Sequence, residues 1–289
     1  MTATEANFTP QARFGRAYQN QVDHWPVPVM SRQVPTSYGL THILACGQET
    51  SPAVLLLPGG GATAIAWRNV AAGLSARRRV IAPDPIGQPG LSTAAGQPLK
   101  TADDLDNWLD QLLGSLAITR LAIAGHSYGA WIALRYALHA RDRVSHLALL
   151  DPTFVVSPLS PAYRLKAIPL LTRPSSRRMH RFLDWETRGR PLDPGWLSVA
   201  AAGNDLGRAK IVLPRRPHRR DLADLNIPVL VIAAGQSRAH NPAKVLRRAQ
   251  ARLPDVTTAT IPQATHHTMP TQDVPELLDR LGPFLARGA

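Results

Sequence analysis

The chain has 289 residues, 44% of them hydrophobic, a formal charge of +13 and a single cysteine, Cys46. That is enough for one large core with room for an insertion, while one cysteine excludes an intrachain disulfide framework and fits a reducing, cytoplasmic setting. No run of 18 apolar residues suggests a membrane span, and the first residues, Met1-Thr-Ala-Thr-Glu-Ala-Asn, lack the charged start and apolar stretch of a secretory signal. No Cys/His cluster has zinc spacing and no H-E-x-x-H occurs, so neither a metal nor a cofactor is expected.

Residues 1–25 are polar and mixed and read as a surface arm. Val27 to Val34 and Tyr38 to Ala45 read as two strands joined by the turn Pro35-Thr36-Ser37. Ala53 to Leu57 is a short continuous apolar run, as expected of a strand buried on both faces. Ile65 to Leu74 reads as a helix, Val80 to Ala82 as a strand ended by Pro83-Asp84-Pro85, and Asp103 to Leu116 as a helix with Thr101 at its N-cap. Leu121 to Ala124 is a strand, Tyr128 to His139 a helix, and Val144 to Leu150 a strand ending in Asp151-Pro152. Alternation then stops. Residues 152–220 are rich in proline and arginine, with short helical pieces at Tyr163 to Leu171 and Arg177 to Trp185. It resumes with a strand at Pro228 to Ala234, a helix at Pro242 to Arg252, a strand at Val256 to Ile261 and a helix at Val274 to Ala286.

Alternating strands and helices imply a mostly parallel sheet with helices on both faces. The interruption implies an inserted, mainly helical cap at 152–220, between core segments 26–151 and 221–289. That insertion holds 14 Lys+Arg against 4 Asp+Glu, a net +10 of the whole chain's +13. A basic face of this kind attracts an acidic partner, an anionic substrate or a membrane surface. No nucleic-acid motif accompanies the charge, and the basic residues are not interleaved with stacking aromatics.

The most informative segment is Gly125-His126-Ser127-Tyr128-Gly129. It is a G-x-S-x-G pattern between a strand and a helix, where a sharp turn pushes a serine hydroxyl out of the backbone. A serine hydroxyl needs a base, ordinarily a histidine held in one tautomer by a carboxylate. In a sheet of this kind reactive groups collect at the carboxyl ends of strands. His266 follows the last strand and is the expected base, with His267 one step along as the alternative. The amides of Tyr128 and of Gly60, with Gly61 second, are the expected oxyanion donors, because Leu57-Pro58-Gly59-Gly60-Gly61 also follows a strand and precedes a helix. That glycine tract lacks the Gly-Lys-Ser/Thr of a phosphate loop and does not complete G-x-G-x-x-G, since Ala64 stands at the last position.

The acid is the weak member. The loop after the strand at Pro228 to Ala234 reads Gly235-Gln236-Ser237-Arg238-Ala239-His240-Asn241 and holds no carboxylate, only Gln236 and Asn241 as hydrogen-bonding substitutes. Asp151, at the end of the preceding strand, is the expected acid. Asp84 is too early in the usual order and is expected to shape the Asp84-Pro85-Ile86-Gly87 loop.

With these landmarks, and Ala82-Pro83-Asp84-Pro85-Ile86-Gly87-Gln88-Pro89-Gly90-Leu91-Ser92 and Ala264-Thr265-His266, the chain resembles the α/β-hydrolase fold family from roughly Val27 onward, outside the cap. It is most similar to its bacterial esterase and perhydrolase-like members. The resemblance implies Ser127 as nucleophile, His266 as base, and the Tyr128 and Gly60 amides as oxyanion hole. The chain departs from the family in carrying Pro58-Gly59 where His-Gly is common, and in lacking the acid after Gly235; some relatives carry it one strand earlier, where Asp151 lies. The expected activity is cleavage of a small-molecule carboxylic ester or thioester through an acyl-enzyme. A dehalogenase of this fold is disfavoured, since its nucleophile is an aspartate. The alternatives are a binding protein of the same fold without a competent acid, and a thioesterase whose basic cap docks an acidic carrier protein. Tyr163, Phe182, Trp185 and Trp196 are expected either to line the pocket or to form the cap's own small core.

Overall fold

A computed structural model describes residues 9–287. Its centre is a sheet in the order β1-β2-β4-β3-β6-β7-β8-β9. The strands on this path are β1 (Met30–Thr36), β2 (Gly39–Cys46), β3 (Ala53–Leu57), β4 (Arg79–Pro83), β6 (Leu121–His126), β7 (Val144–Leu150), β8 (Val229–Ala234) and β9 (Val256–Ile261), while the short β5 (Thr93–Ala94) pairs with β2 off it. β1 and β2 are antiparallel to their neighbours, and the pairs from β4 through β9 are parallel.

The sheet is covered on both faces, and side-chain parity shows how. Leu55, Leu57, Ile123, Leu147, Leu149, Val229 and Val231 join one core cluster. Their neighbours Val54, Leu56, Ala122, Ala124, Ala148, Leu150, Leu230 and Ile232 join the other. Successive side chains of a strand point to opposite faces, so a strand covered twice must be apolar throughout. The first cluster is closed by α3 (Ala102–Ser115), α4 (Tyr128–His139) and α9 (Pro242–Gln250), the second by α2 (Arg68–Ser75) and α10 (Val274–Ala286). Thr101 caps α3 as expected: its hydroxyl accepts the Asp104 amide while the Asp104 carboxylate accepts the Thr101 amide at 2.7 Å.

Several boundaries differ from expectation. The hairpin turn falls at Ser37-Tyr38, because Thr36 pairs with Gly39. Pro35 therefore stays in β1, an edge strand, where its missing N–H costs no ladder bond. The helix expected at Ile65 to Leu74 opens as a 3₁₀ turn at Ala64–Trp67 before α2 begins. The stretch read as a surface arm contains α1 (Pro10–Asp23), which buries Phe14, Tyr18 and Gln21. These lie at i, i+4 and i+7, one face of a helix; Phe14 and Tyr18 join the second core cluster. The remaining N-terminal residues of that stretch lie outside the described ones.

Residues 152–223 carry α5 (Pro161–Thr172), α6 (Ser176–Thr187), α7 (Pro194–Asn204) and the short α8 (Arg219–Ala223). They supply most of a third cluster, in which Tyr163, Met179, Phe182, Leu183 and Trp196 are buried together with Ala66 and Ala239 from outside the segment. Trp185 packs against it, with the Arg238 guanidinium over its ring. Among the described residues no helix is long and apolar enough to cross a membrane.

Candidate active site

The site is built where β6, β7 and β9 end. β6 runs through Gly125 and His126 and turns into α4 at Ser127, whose backbone has φ 54° and ψ −114°. A non-glycine residue in this region is strained and persists only where its surroundings hold it. They do so here. A Cβ at Gly125 would stand 2.3 Å from the Gly129 carbonyl oxygen, and one at Gly129 would stand 2.2 Å from that of Leu57. Both positions of the motif are therefore closed to any side chain, and the turn packs backbone on backbone.

The Ser127 hydroxyl stands 2.8 Å from His266 Nε2, and His266 Nδ1 stands 2.5 Å from Asp151 Oδ2. Residues 139 and 115 positions apart in sequence thus form one hydrogen-bonded line. Asp151 ends β7 with φ 40° and is fully buried. Its carboxylate also accepts the Ala234 amide at 2.9 Å and the Ser237 hydroxyl at 2.7 Å, and His240 Nε2 lies 3.2 Å away. The loop after β8 therefore contains no carboxylate but holds that of Asp151. Gln236 instead donates to the Pro262 carbonyl, and Asn241 caps α9.

Burial alone would raise the Asp151 pKa. The attraction of His240, the bond from His266 and the Ser237 hydroxyl outweigh burial and hold the carboxyl well below the usual range. Burial pushes His266 the other way, below the ordinary imidazole value; the bond and charge of Asp151 oppose this, and His267 adds to it. The imidazole is thus neutral at neutral pH, and with Nδ1–H donated to Asp151 its Nε2 is free to accept from Ser127.

His267 is engaged by a different carboxylate. Its Nδ1 lies 2.9 Å from Glu186 Oε2, a carboxylate of α6 that is 0% exposed. Glu186 also accepts the backbone amides of His266 at 2.9 Å and His267 at 3.2 Å, and the Thr265 hydroxyl at 3.3 Å. One carboxylate from the inserted segment thereby fixes the loop that carries both histidines. From the other side His126 Nε2 donates to the His266 carbonyl at 2.8 Å. Burial, with the two nearby histidines, keeps His126 far below the ordinary imidazole value and so neutral.

The glycine loop after β3 lies beside the turn. Gly61 donates its amide to Gln88 Oε1 at 2.7 Å, which removes it as a free donor. No bond to the exposed Gly60 amide is found among the described residues, and a Cβ at Gly60 would touch the Tyr128 side chain at 3.5 Å. The Tyr128 amide opens α4, where helical N–H groups lack intrahelical partners. Asp84 shapes the neighbouring loop: it accepts the amides of Ala64 and Leu91, both at 2.8 Å, and pairs with His42 at 3.0 Å. The rings of Tyr163 and His266 meet edge to face with their centroids 5.7 Å apart, and those of Phe182 and His267 do so at 5.8 Å, so α5 and α6 pack over both histidines. A cavity of about 810 Å³ lies elsewhere, between α3, α4 and residues 211–221, and none of Ser127, His266 or Asp151 lines it.

Sequence reasoning missed Glu186, Ser237, His240 and the role of His126. Glu186 left a signal: it follows Met179, Phe182 and Leu183 at helical spacing, all buried with it, so a carboxylate stands on the apolar face of α6. Among the described residues no group of three or more His, Cys, Asp and Glu side chains is arranged to hold a metal ion.

This fold and this strand-to-helix turn are those of a known class. The chain belongs to the alpha/beta hydrolase family, whose model matches residues 54–280. It is 26% identical over 262 residues to the carboxylesterase nap of Bacillus subtilis, a match covering 88% of this chain and 86% of that one. It is 24% identical over 262 residues to the carboxylesterase YbfK of the same organism, covering 88% and 87%. The crystal structure of naproxen esterase from Bacillus subtilis shares the fold with a TM-score of 0.88 at 24% identity, over 96% of this chain and 98% of that one.

Proposed function

We propose that the chain is a serine hydrolase that cleaves carboxylic esters, thioesters included, through an acyl-enzyme. The observation that carries this reading is the line from Ser127 Oγ to His266 Nε2 at 2.8 Å and from His266 Nδ1 to Asp151 at 2.5 Å. The names of the matched relatives, carboxylesterases, point the same way.

In this reading Ser127 Oγ attacks the acyl carbon as His266 Nε2 takes its proton, and Asp151 stabilises the imidazolium. The carbonyl oxygen, now an anion, is met by the amides of Tyr128 and Gly60. His266 returns the proton to the departing alcohol or thiol, leaving the acyl group on Ser127. Water then enters by the same route in reverse order of roles and frees the acid and the serine. Residues 152–220 act as the lid. Tyr163 over His266 bounds the acyl pocket, and Glu186 keeps the base in place when substrate enters.

A binding protein without turnover loses its motive, because the acid absent after β8 has a counterpart in Asp151. Docking of an acidic carrier protein on the lid rests on the charge of that segment. The test is rapid-mixing hydrolysis of a p-nitrophenyl ester. The reading expects a burst of one p-nitrophenolate per chain, followed by slower turnover, and neither in Ser127→Ala; a native chain with no burst and no turnover would overturn it.

A further inference from the structure

Seven large hydrophobic side chains are exposed among the described residues, and five of them, Leu165, Ile168, Leu171, Ile211 and Leu213, lie between 152 and 220. That is also the segment with a net +10. Three of the five share α5, where Leu165 is 68% exposed, Ile168 50% and Leu171 55%. Helical geometry sets their directions at about 100° per residue. Tyr163, Ala167 and Leu170 fall on the side that packs on the third core cluster. Leu165 and Ile168 fall on the opposite side. Arg164 and Leu171 flank this ridge on one edge and Lys166 on the other, and Arg173 follows directly on the helix's last residue. None of Arg164, Lys166 and Arg173 is in an ion pair with a carboxylate among the described residues, and all three are exposed.

We infer that α5 is a docking helix for an anionic lipid surface. An exposed apolar ridge with cations beside it suits an anionic interface: the apolar side chains enter the acyl boundary while the cations stay with the headgroups. An acidic protein would answer the charge, but it would leave the ridge between the charges without a counterpart. The same helix holds Tyr163 over His266 on its inner side, so the lipid-facing element is also the roof of the site. An amphiphilic acyl ester drawn from such a surface would meet the lid first. The docking itself does not depend on the ester-cleaving reading, and it is measured as well with Ser127→Ala as with the native chain.

The experiment is sedimentation of the full chain with vesicles of equal phosphatidylglycerol and phosphatidylcholine, and with phosphatidylcholine alone. The native chain should partition onto the anionic vesicles and be released by salt. Each cation near an anionic surface contributes about fivefold to partitioning, so Arg164→Gln/Lys166→Gln/Arg173→Gln should bind about a hundredfold more weakly. Leu165→Asn/Ile168→Asn/Leu171→Asn should lose at least about tenfold. Unchanged thermal melting shows that these surface variants are folded. Leu165→Cys carrying an environment-sensitive dye gives a second reading: its emission should shift to the blue on anionic vesicles only. No vesicle binding, equal binding to both vesicle types, an unaffected asparagine variant or an unshifted dye would each overturn the proposal. So would tight binding of an acidic carrier protein to a chain that ignores vesicles.

Discussion

Asp151→Asn changes one atom and should silence the enzyme without unfolding it. The native carboxylate is an acceptor only, and it receives hydrogen bonds from Ala234 N–H on Oδ1 and from Ser237 and His266 on Oδ2. An asparagine must keep its oxygen toward Ala234, because a backbone N–H can only donate. Its NH₂ then occupies the Oδ2 place and donates to Ser237 Oγ and to His266 Nδ1. The imidazole proton moves to Nε2, which lies 2.8 Å from Ser127 Oγ and now donates to the hydroxyl from which it should take a proton. Losing the base in this way costs about 10⁴ in kcat, or roughly 5.5 kcal/mol of barrier. KM should change little, since nothing that touches substrate moves. Steady-state hydrolysis of a p-nitrophenyl ester measures both constants, and thermal melting checks the fold. A kcat within about tenfold of native, in a folded variant, would refute the tautomer argument and remove Asp151 from the relay.

Other perturbations probe the rest of the site. Glu186→Gln leaves a single acceptor oxygen for the donors of Thr265, His266 and His267 that the carboxylate now serves. It should lower stability by about 1–3 kcal/mol in denaturant unfolding and reduce kcat without moving the burst serine. Gly129→Ala would put a Cβ 2.2 Å from Leu57 O and 2.5 Å from Pro58 O. It should therefore displace the loop bearing the Gly60 amide and cost about 10²–10³ in kcat, as for a lost oxyanion donor. In pH profiles the acid limb of kcat/KM should lie below the ordinary imidazole value of about 6.5, because burial lowers His266 despite Asp151. The same depression fixes the sign of the stability change. His126 and His266 stay neutral in the fold while the unfolded chain binds protons, so stability is full above about pH 6.5 and declines below it until the lowered native values are reached. These two groups contribute up to roughly 2.7 kcal/mol per pH unit, and His146, lowered by burial and by the charge of Arg78, adds to the slope that denaturant titration at several pH values reads.

The sheet was legible because its strands are covered twice. A strand with no polar face, such as Ala53–Leu57 or Val144–Leu150, stands out as an unbroken apolar run between proline, glycine and charge. The helix after the serine was legible because Gly125 and Gly129 punctuate it. The first helix was not: α1 is polar on average, and only Phe14, Tyr18 and Gln21 at helical spacing betray it, with Thr9 as N-cap and Pro10 at its first turn. α7 escaped for the opposite reason. Its Ala- and Gly-rich sequence has no polar face to set a period, and only Asp193-Pro194 marks its start.

Within the site, Ser127, His266 and Asp151 could be proposed together because each lies in a loop that follows the carboxyl end of a recognisable strand. Glu186 could not, since its partners lie about 80 positions away and no local spacing encodes a contact made through the packing of α6 on the histidine loop. The Ser237 and His240 support of Asp151 was hidden likewise: the loop after β8 carries no acid, and nothing in its sequence marks it as the holder of a carboxylate from the neighbouring strand.

Intact-mass spectrometry after treatment with a fluorophosphonate, followed by peptide mapping, shows whether His266 makes Ser127 nucleophilic. A single adduct on Ser127 is expected, none in Ser127→Ala, and labelling slowed by orders of magnitude in His266→Ala. An unlabelled native chain, an adduct on another residue, or undiminished labelling without the imidazole would contradict it.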